Sequence, residues 1–235
     1  MKKHTTLIFI YCLFGAYFLS VAQQPPVENC YGADATLYNG ALYSFYVYPS
    51  TEGTPFYQSP AYQTGSCTIR GITYNDVDLN YDVYNQQVIY RYKSPTGGIN
   101  RIVLSDAWLQ SFQFMNQSFV LLSNNDSNTT VYRVIGDEFY HENRYRILYH
   151  YFKDLTISSG ISSQNMRFTP LTREAYLQKD NDIYRFKNNH SFIGLFNRDD
   201  QPVIRKYLRQ NNINMRKEDD AKVASLLEFI RKAAL

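Results

Sequence analysis

The chain alternates from residue 66 onward. In "ITYNDVDLNYDVYNQQVIYRY", residues 72–92, Val77, Leu79, Tyr81 and Val83 alternate with Asp76, Asp78, Asn80 and Asp82. Strict alternation over eight positions predicts a strand with one buried and one solvated face. With Asn85 and Gln86 at the tip of a hairpin, Val83 faces Val88, Tyr81 faces Tyr90 and Leu79 faces Tyr92. Asn80 then meets Arg91, and Asp78 meets Lys93. Apolar side chains gather on one side and opposite charges on the other, a match that a one-residue slip destroys. Asn-Gln is a weaker turn signal than Asn-Gly, which leaves room for a longer loop.

Further strands follow the same logic. "SPTGG" turns the chain into "INRIVL", and Ser105 caps a single short turn, "SDAWLQSF", that tucks Trp108 and Leu109 inward. "FQFM" and "SFVLL" read as strands, as do "VYRVI" and "RYRILYHYF" beyond the polar loop "SNNDSNTT". In the last of these, Tyr145, Ile147, Tyr149 and Tyr151 share one face, and Arg144, Arg146, Leu148, His150 and Phe152 share the other. Residues 154–182 are mostly polar and weakly patterned, an excursion or an edge element. "DIYRFKNNHSFIGLF" fits either a hairpin turning at Asn188-Asn189 or a strand followed by a short helix.

The period then changes. Asp199 or Asp200 caps a helix with Pro202 in its first turn and Val203, Ile204, Tyr207 and Leu208 at helical spacing. Asn211 and Asn212 stop it. A second helix starts near Lys217, with Glu218, Asp219 and Asp220 at its positive end and Arg231 and Lys232 at its negative end. Its regular stripe of Val223, Leu226, Leu227 and Ile230 packs on the parent domain or forms an interaction face for a partner. The fold class is α+β, predominantly antiparallel β-sheet with two C-terminal helices. Residues 23–235 form a single mature domain: an irregular segment at 23–65, a β-rich body at 66–193 and a helical pair at 199–235.

The first 22 residues read as an export signal. Lys2 and Lys3 precede an apolar run at residues 7–19, and "SVA" supplies the small-x-small cleavage site after Ala22. No later stretch is apolar enough to form a transmembrane segment, so a soluble periplasmic or extracellular protein is expected. Cys12 lies inside the apolar run and the residue directly after the cleavage site is Gln23 rather than cysteine, so a lipoprotein anchor is not indicated. Cleavage removes Lys2 and Lys3, leaving 22 basic residues against 21 acidic ones and a net charge of +1. That balance, with export, speaks against nucleic acid as a partner.

Composition sharpens the picture at two points. The 22 tyrosines, against 15 phenylalanines and one tryptophan, suit half-buried strands or a sticky aromatic surface. Cys30 and Cys67 allow one intramolecular bridge, worth about 4 kcal/mol by loop closure in an oxidising compartment. Two separate thiols and a catalytic thiol are the alternatives.

Signals of chemistry are few. Asp76, Asp78, Asn80 and Asp82 resemble the opening of a calcium loop, but an EF-hand needs Gly and Glu where this chain has Tyr81 and Gln87. Arg91 and Lys93 already supply countercharge, so the solvated strand face is the reading adopted. His141 and His150 bracket "HENRYRILYH", which lacks the HExxH arrangement of zinc proteases, and His190 stands apart. No nucleophile elbow, S-x-x-K pair, P-loop or dinucleotide glycine pattern is present. Asp137 and Glu138, adjacent on a strand, point to opposite faces and make a poor acid–base pair. The Arg-Tyr alternation at residues 143–152 suits sugar stacking or, on its periodicity, a tyrosine face in the core. No metal or cofactor is implied.

"GITYNDVDLNYDVYNQQVIYRY", "RIVLSDAWLQSF" and "IRKYLRQNNINMRKEDDAKVASLLEFI" together resemble a group of uncharacterised exported proteins of Bacteroidota, from about Ser66 to the C-terminus. The shared features are an extended segment ending in a Tyr-Asp pair (here Tyr81-Asp82), several further strands and a basic helical pair. The resemblance implies an envelope location and supplies no catalytic residues. The expectation is a non-enzymatic module that binds or scaffolds an envelope protein partner. A glycan-binding module using surface tyrosines is the alternative, and an envelope hydrolase is third.

Overall fold

A computed structural model describes residues 34, 36–38, 40–45, 49–94, 97–123, 129–140, 143–159, 164–217 and 219–233. Within strands, the side chains of residues 137–140, 143, 144, 158, 159, 164 and 165 are outside the description. The proposed signal segment and Cys30 lie outside the described residues.

The elements form one unit beginning at residue 36. In chain order they are β1 (Gly40–Leu42), β2 (Gln63–Ile69), β3 (Ile72–Asp82), β4 (Gln87–Lys93), β5 (Ile99–Leu104), β6 (Leu109–Phe114) and β7 (Gln117–Ser123). They continue with β8 (Thr129–Tyr140), β9 (Asn143–Phe152), β10 (Leu155–Ser159), β11 (Gln164–Phe168), β12 (Thr172–Lys179) and β13 (Asp182–Phe186). The helices, α1 (Asn189–Ile193), α2 (Gln201–Gln210) and α3 (Asp220–Lys232), follow the last strand. Eleven strands form one sheet in the order β1-β5-β4-β3-β2-β6-β7-β8-β9-β12-β13, and β10 with β11 forms a separate hairpin. Every pairing between strands is antiparallel. The α+β, β-rich reading holds.

Turn chemistry explains the meander. Arg70 and Gly71 (φ 51° and 81°) join β2 to β3, and Met115 and Asn116 (φ 53° and 55°) join β6 to β7. Two consecutive left-handed residues make the tight hairpin turn whose twist suits paired strands. β3 carries a bulge at Asn75-Asp76, where Asp76 has φ 56° and the register with β2 shifts.

The β3–β4 register corrects the sequence expectation. Tyr81 pairs with Val88, Leu79 with Tyr90, Asn80 with Ile89 and Asp78 with Arg91, a two-residue offset from the predicted partners. The loop spans residues 83–86 because the Asp82 carboxylate collects the Tyr84 and Asn85 amides at 3.0 and 2.9 Å. An even offset leaves each side chain on its predicted face. The polar face is not uniformly wet, however: Asn80 and Asp82 are 1% and 0% exposed.

The sheet curls. Gln86, in the β3–β4 loop, donates from Nε2 to the Tyr151 carbonyl of β9 at 2.9 Å, although four strands separate β3 from β9. Inside the curl, Tyr57 touches the rings of Tyr81, Phe114, Phe119 and Tyr151. Phe112 and Phe119, directly opposed on β6 and β7, stack at 4.7 Å. The expected β9 face of Tyr145, Ile147, Tyr149 and Tyr151 is buried in this core. Trp108 is only half-buried beneath the Arg70 guanidinium, whereas Leu109 is buried as expected.

The C-terminal helices close one side. Asp219 caps α3 by accepting the Lys222 amide at 2.9 Å, while Asp200, at the start of α2, makes no side-chain cap. Val223, Leu226, Leu227 and Ile230 are each 0–1% exposed, and α3 lies on β8 and β9. Gly136 permits that approach, since a Cβ there would stand 2.7 Å from Leu227 Cδ1. The stripe offered above as an interaction face is therefore closed by the protein's own sheet. The polar stretch at 154–182 is an excursion in its first half, the β10–β11 hairpin, but its second half is not an edge element: β12 lies inside the sheet between β9 and β13, with Leu177 buried.

Candidate functional site

In the β3 polar row, Asp78, Asn80 and Asp82 are already committed to internal partners, while Asp76 is exposed at the bulge. Asp78 pairs with Arg91 at 2.9 Å and accepts from Thr64 at 3.3 Å. The Asn80 amide donates to the Ser59 and Pro60 carbonyls at 3.3 and 3.1 Å. Asp82 takes the Tyr43 hydroxyl and the Asn85 amide on Oδ2, both at 2.8 Å, besides the two backbone amides on Oδ1. Four donors on one buried carboxylate satisfy it without a cation. Among the described residues, no group of three or more His, Cys, Asp or Glu side chains can hold a metal ion.

Cys67 is buried and, among the described residues, has no disulfide partner, its expected partner Cys30 lying outside them; as a thiol it is pushed up to about 12 by burial. So little thiolate at neutral pH makes it a poor nucleophile. His150 and His190 sit on β9 and α1, and Asp137 and Glu138 are consecutive on β8 with side chains outside the described set. His150 Nδ1 lies 3.2 Å from the Val131 carbonyl, to which its Nδ1–H tautomer donates.

Two concavities stand out. The larger, about 630 Å3, opens at the mouth of the curled sheet and is lined by Tyr57, Lys153, Arg167, Phe168 and neighbouring residues. Its rim is a strap at residues 49–58, fixed to β11 by Glu52 amide to Met166 carbonyl and Phe168 amide to Glu52 carbonyl bonds of 2.9 and 3.0 Å. The Arg167–Glu52 ion pair at 2.8 Å reinforces it. Lys153 Nζ donates to the Thr54 and Phe56 carbonyls at 2.8 and 2.6 Å. Burial lowers the Lys153 pKa, opposed by the charge of Asp82. With two ammonium protons held by backbone carbonyls, Lys153 is a clip between β9 and the strap. Behind the pocket, Arg133 donates to the Tyr151 hydroxyl at 3.1 Å and pairs with Asp220 at the start of α3.

The second concavity, about 410 Å3, is a notch at the β12–β13 end of the sheet. β12 pairs with β9 from Thr172 to Lys179 but with β13 only from Ala175 onward, which leaves residues 172–174 without a strand on one flank. The chain departs because Asn188 caps α1 in a reciprocal capping box with Ser191, turning it off the sheet. Asn189 then clamps the segment before α3, donating to the Ile213 carbonyl at 2.7 Å and accepting the Met215 amide at 2.8 Å. Arg216 is thereby brought beside Arg185 and Lys187. Among the described residues, the notch is lined by Arg173, Arg185, Lys187 and Arg216 and by one carboxylate, Glu174; of its apolar lining, Phe186 and Met215 are buried and Ala175 is part-exposed. Glu174 is held by Arg185 and by the Tyr176 hydroxyl, the latter at 2.7 Å. Arg173 lies over the Tyr149 ring at 4.2 Å. Among the described residues, Lys187 and Arg216 have no carboxylate partner.

None of the notch residues was singled out from the sequence. The available signals were the short basic-apolar runs Arg185-Phe186-Lys187 and Met215-Arg216-Lys217, which reading along the chain assigned to a strand and a linker. The surplus tyrosines are largely internal: Tyr57, Tyr81 and Tyr149 are 0–1% exposed, and among the described residues only Tyr84 and Tyr184 exceed a third. No helix among the described residues is long and apolar enough to cross a membrane. No family model, no curated protein and no solved structure matches this chain.

Proposed function

We propose that the chain is an exported envelope protein that works as a non-enzymatic protein-binding module, docking its partner on the open end of the sheet. The resemblance to exported Bacteroidota proteins and the leader-like first 22 residues support the location. One contrast carries the binding reading: α3 buries its apolar stripe, while residues 172–174 of β12 have no strand on one flank and border a notch that carries the exposed Lys187 and Arg216. An exposed strand edge is a template for pairing with another chain unless it is blunted or covered. Affinity purification from gently solubilised envelopes, with the tag after Leu235, tests this. A stoichiometric partner lost in the Lys187→Glu/Arg216→Glu double variant is the expected result; a partner retained at full yield would refute the docking site. Amino-terminal sequencing of the exported protein should begin at Gln23.

The mouth pocket favours a second reading, glycan binding. Its 630 Å3 volume and its mix of aromatic and cationic walls suit a sugar unit. A rise in melting temperature with a glycan panel, abolished by Arg167→Ala, would support it.

A further inference from the structure

A third concavity, about 310 Å3, lies between α1, α2 and the segment that follows α2. Its lining includes Arg205, Arg209, Asn189, Asn212, Leu208 and Ile213. Leu208 and Ile213 are buried, and the Asn189 carboxamide is engaged by the Ile213 carbonyl and the Met215 amide. An incoming group therefore meets the two guanidinium groups and Asn212, all three of them exposed. Among the described residues, no carboxylate lines this cleft.

Arg205 and Arg209 stand four residues apart in α2, a helix whose third cation is Lys206 and which contains no carboxylate. Like charges at that spacing destabilise a helix, and neither guanidinium has an ion pair among the described residues. The negative pole of α2 accounts for Arg209 in the last turn but not for Arg205 one turn earlier. The pair is unfavourable for the helix alone and becomes favourable once an anion sits between the two. We infer that the cleft binds a phosphoryl group, the dianionic end of a phosphomonoester, between Arg205 and Arg209. One turn is about 6 Å along the axis, so both guanidinium forks reach a single compact group. A phosphomonoester carries roughly −1.5 to −2 charge at neutral pH and three acceptor oxygens, enough for both forks at once. A carboxylate, with a single charge, balances only one of them. The site is separate from the open sheet end and does not depend on partner docking there.

The test titrates the folded mature chain with phenyl phosphate by calorimetry, with acetate as competitor. Saturable one-site binding is expected, weakened about tenfold or more in Arg205→Gln/Arg209→Gln by loss of the charge-assisted bonds. Lys206→Gln removes the same charge from the same helix outside the cleft lining, and this screened, longer-range effect should not exceed about twofold. Glu218→Gln, which removes a carboxylate outside the described residues, should likewise change the affinity by no more than about twofold. Circular dichroism melts establish that each variant is folded, and Arg205→Gln alone, exposed and inside the helix, repeats the test should the double variant fail to fold. Co-sedimentation with phosphatidylcholine vesicles, with and without phosphatidic acid, separates two sources of the same group. Pelleting that requires phosphatidic acid, Arg205 and Arg209 identifies a lipid headgroup; binding of phenyl phosphate without pelleting identifies a soluble phosphomonoester. No saturable binding of phenyl phosphate, equal competition by acetate, or an equal loss in Lys206→Gln would overturn the inference. So would a large gain in Glu218→Gln, which would mean that a carboxylate of the chain already fills the site.

Discussion

The α3 stripe and the β12 notch are opposite kinds of surface. Val223, Leu226, Leu227 and Ile230 recur at helical spacing and are buried on β8 and β9. The notch residues come from three separate segments and line an open cavity with no sequence period at all. Regular apolar spacing is what a surface needs to pack on its own sheet, so it marks structure. A site for a foreign chain needs only convergence, which the turn at Asn188 and the clamp at Asn189 supply.

The comparison is broken most forcefully from the helix side. Leu226→Ala should destabilise the fold by about 2–5 kcal/mol in urea unfolding, as for other fully buried leucines. Whatever remains folded should still bind partner. A near-neutral change would mean that α3 is not held on the sheet.

Asp82→Ala comes next. It strips four donors of their acceptor beneath the segment carrying Tyr43, and should cost on the order of 3 kcal/mol, leaving buried polar groups unpaired. Tyr43→Phe, removing one of those bonds, should cost about 1 kcal/mol. If Asp82→Ala proves as mild as Tyr43→Phe, the face around Asp82 is wetter than described.

A smaller effect comes from His150. Burial lowers its pKa, against the opposing pulls of the Val131 carbonyl and Glu174. The folded protein thus binds this proton more weakly than the unfolded chain, whose histidine titrates near 6.5. Its contribution should be flat above that pH, fall as pH drops through it, and level off once the folded imidazole is protonated. His150→Gln should flatten that slope in melts run across the window. A slope of opposite sign would contradict the burial.

Smallest of all should be the notch itself. Lys187→Glu and Arg216→Glu should shift the melting temperature no more than ordinary surface substitutions, because both side chains are exposed and neither has an ion partner among the described residues. That separation of stability from binding is the mark of a site.

Much of the fold was legible because burial writes a period into the chain. The alternation at residues 77–83 placed each β3 residue on its face, and the period change after Asp200 placed both long helices. The β3–β4 partners were not legible, since a two-residue offset preserves every face and the turn depends on Asp82 folding back onto the Tyr84 and Asn85 amides. Alternation also names a polar face without saying what covers it: Asn80 is buried by carbonyls from residues 59–60, whose course has no periodic signal. The notch was invisible for the same reason. Arg173 and Arg216 are neighbours only because β13 stops short and Asn189 ties down the segment before α3.

The central claim is tested most directly by photo-crosslinking in the native envelope, with benzoylphenylalanine placed singly at Lys187, at Arg216 and at Glu228 on the exposed side of α3. The account predicts one shared crosslinked partner from positions 187 and 216 and none from 228. A partner crosslinked from 228, with positions 187 and 216 silent, would contradict it.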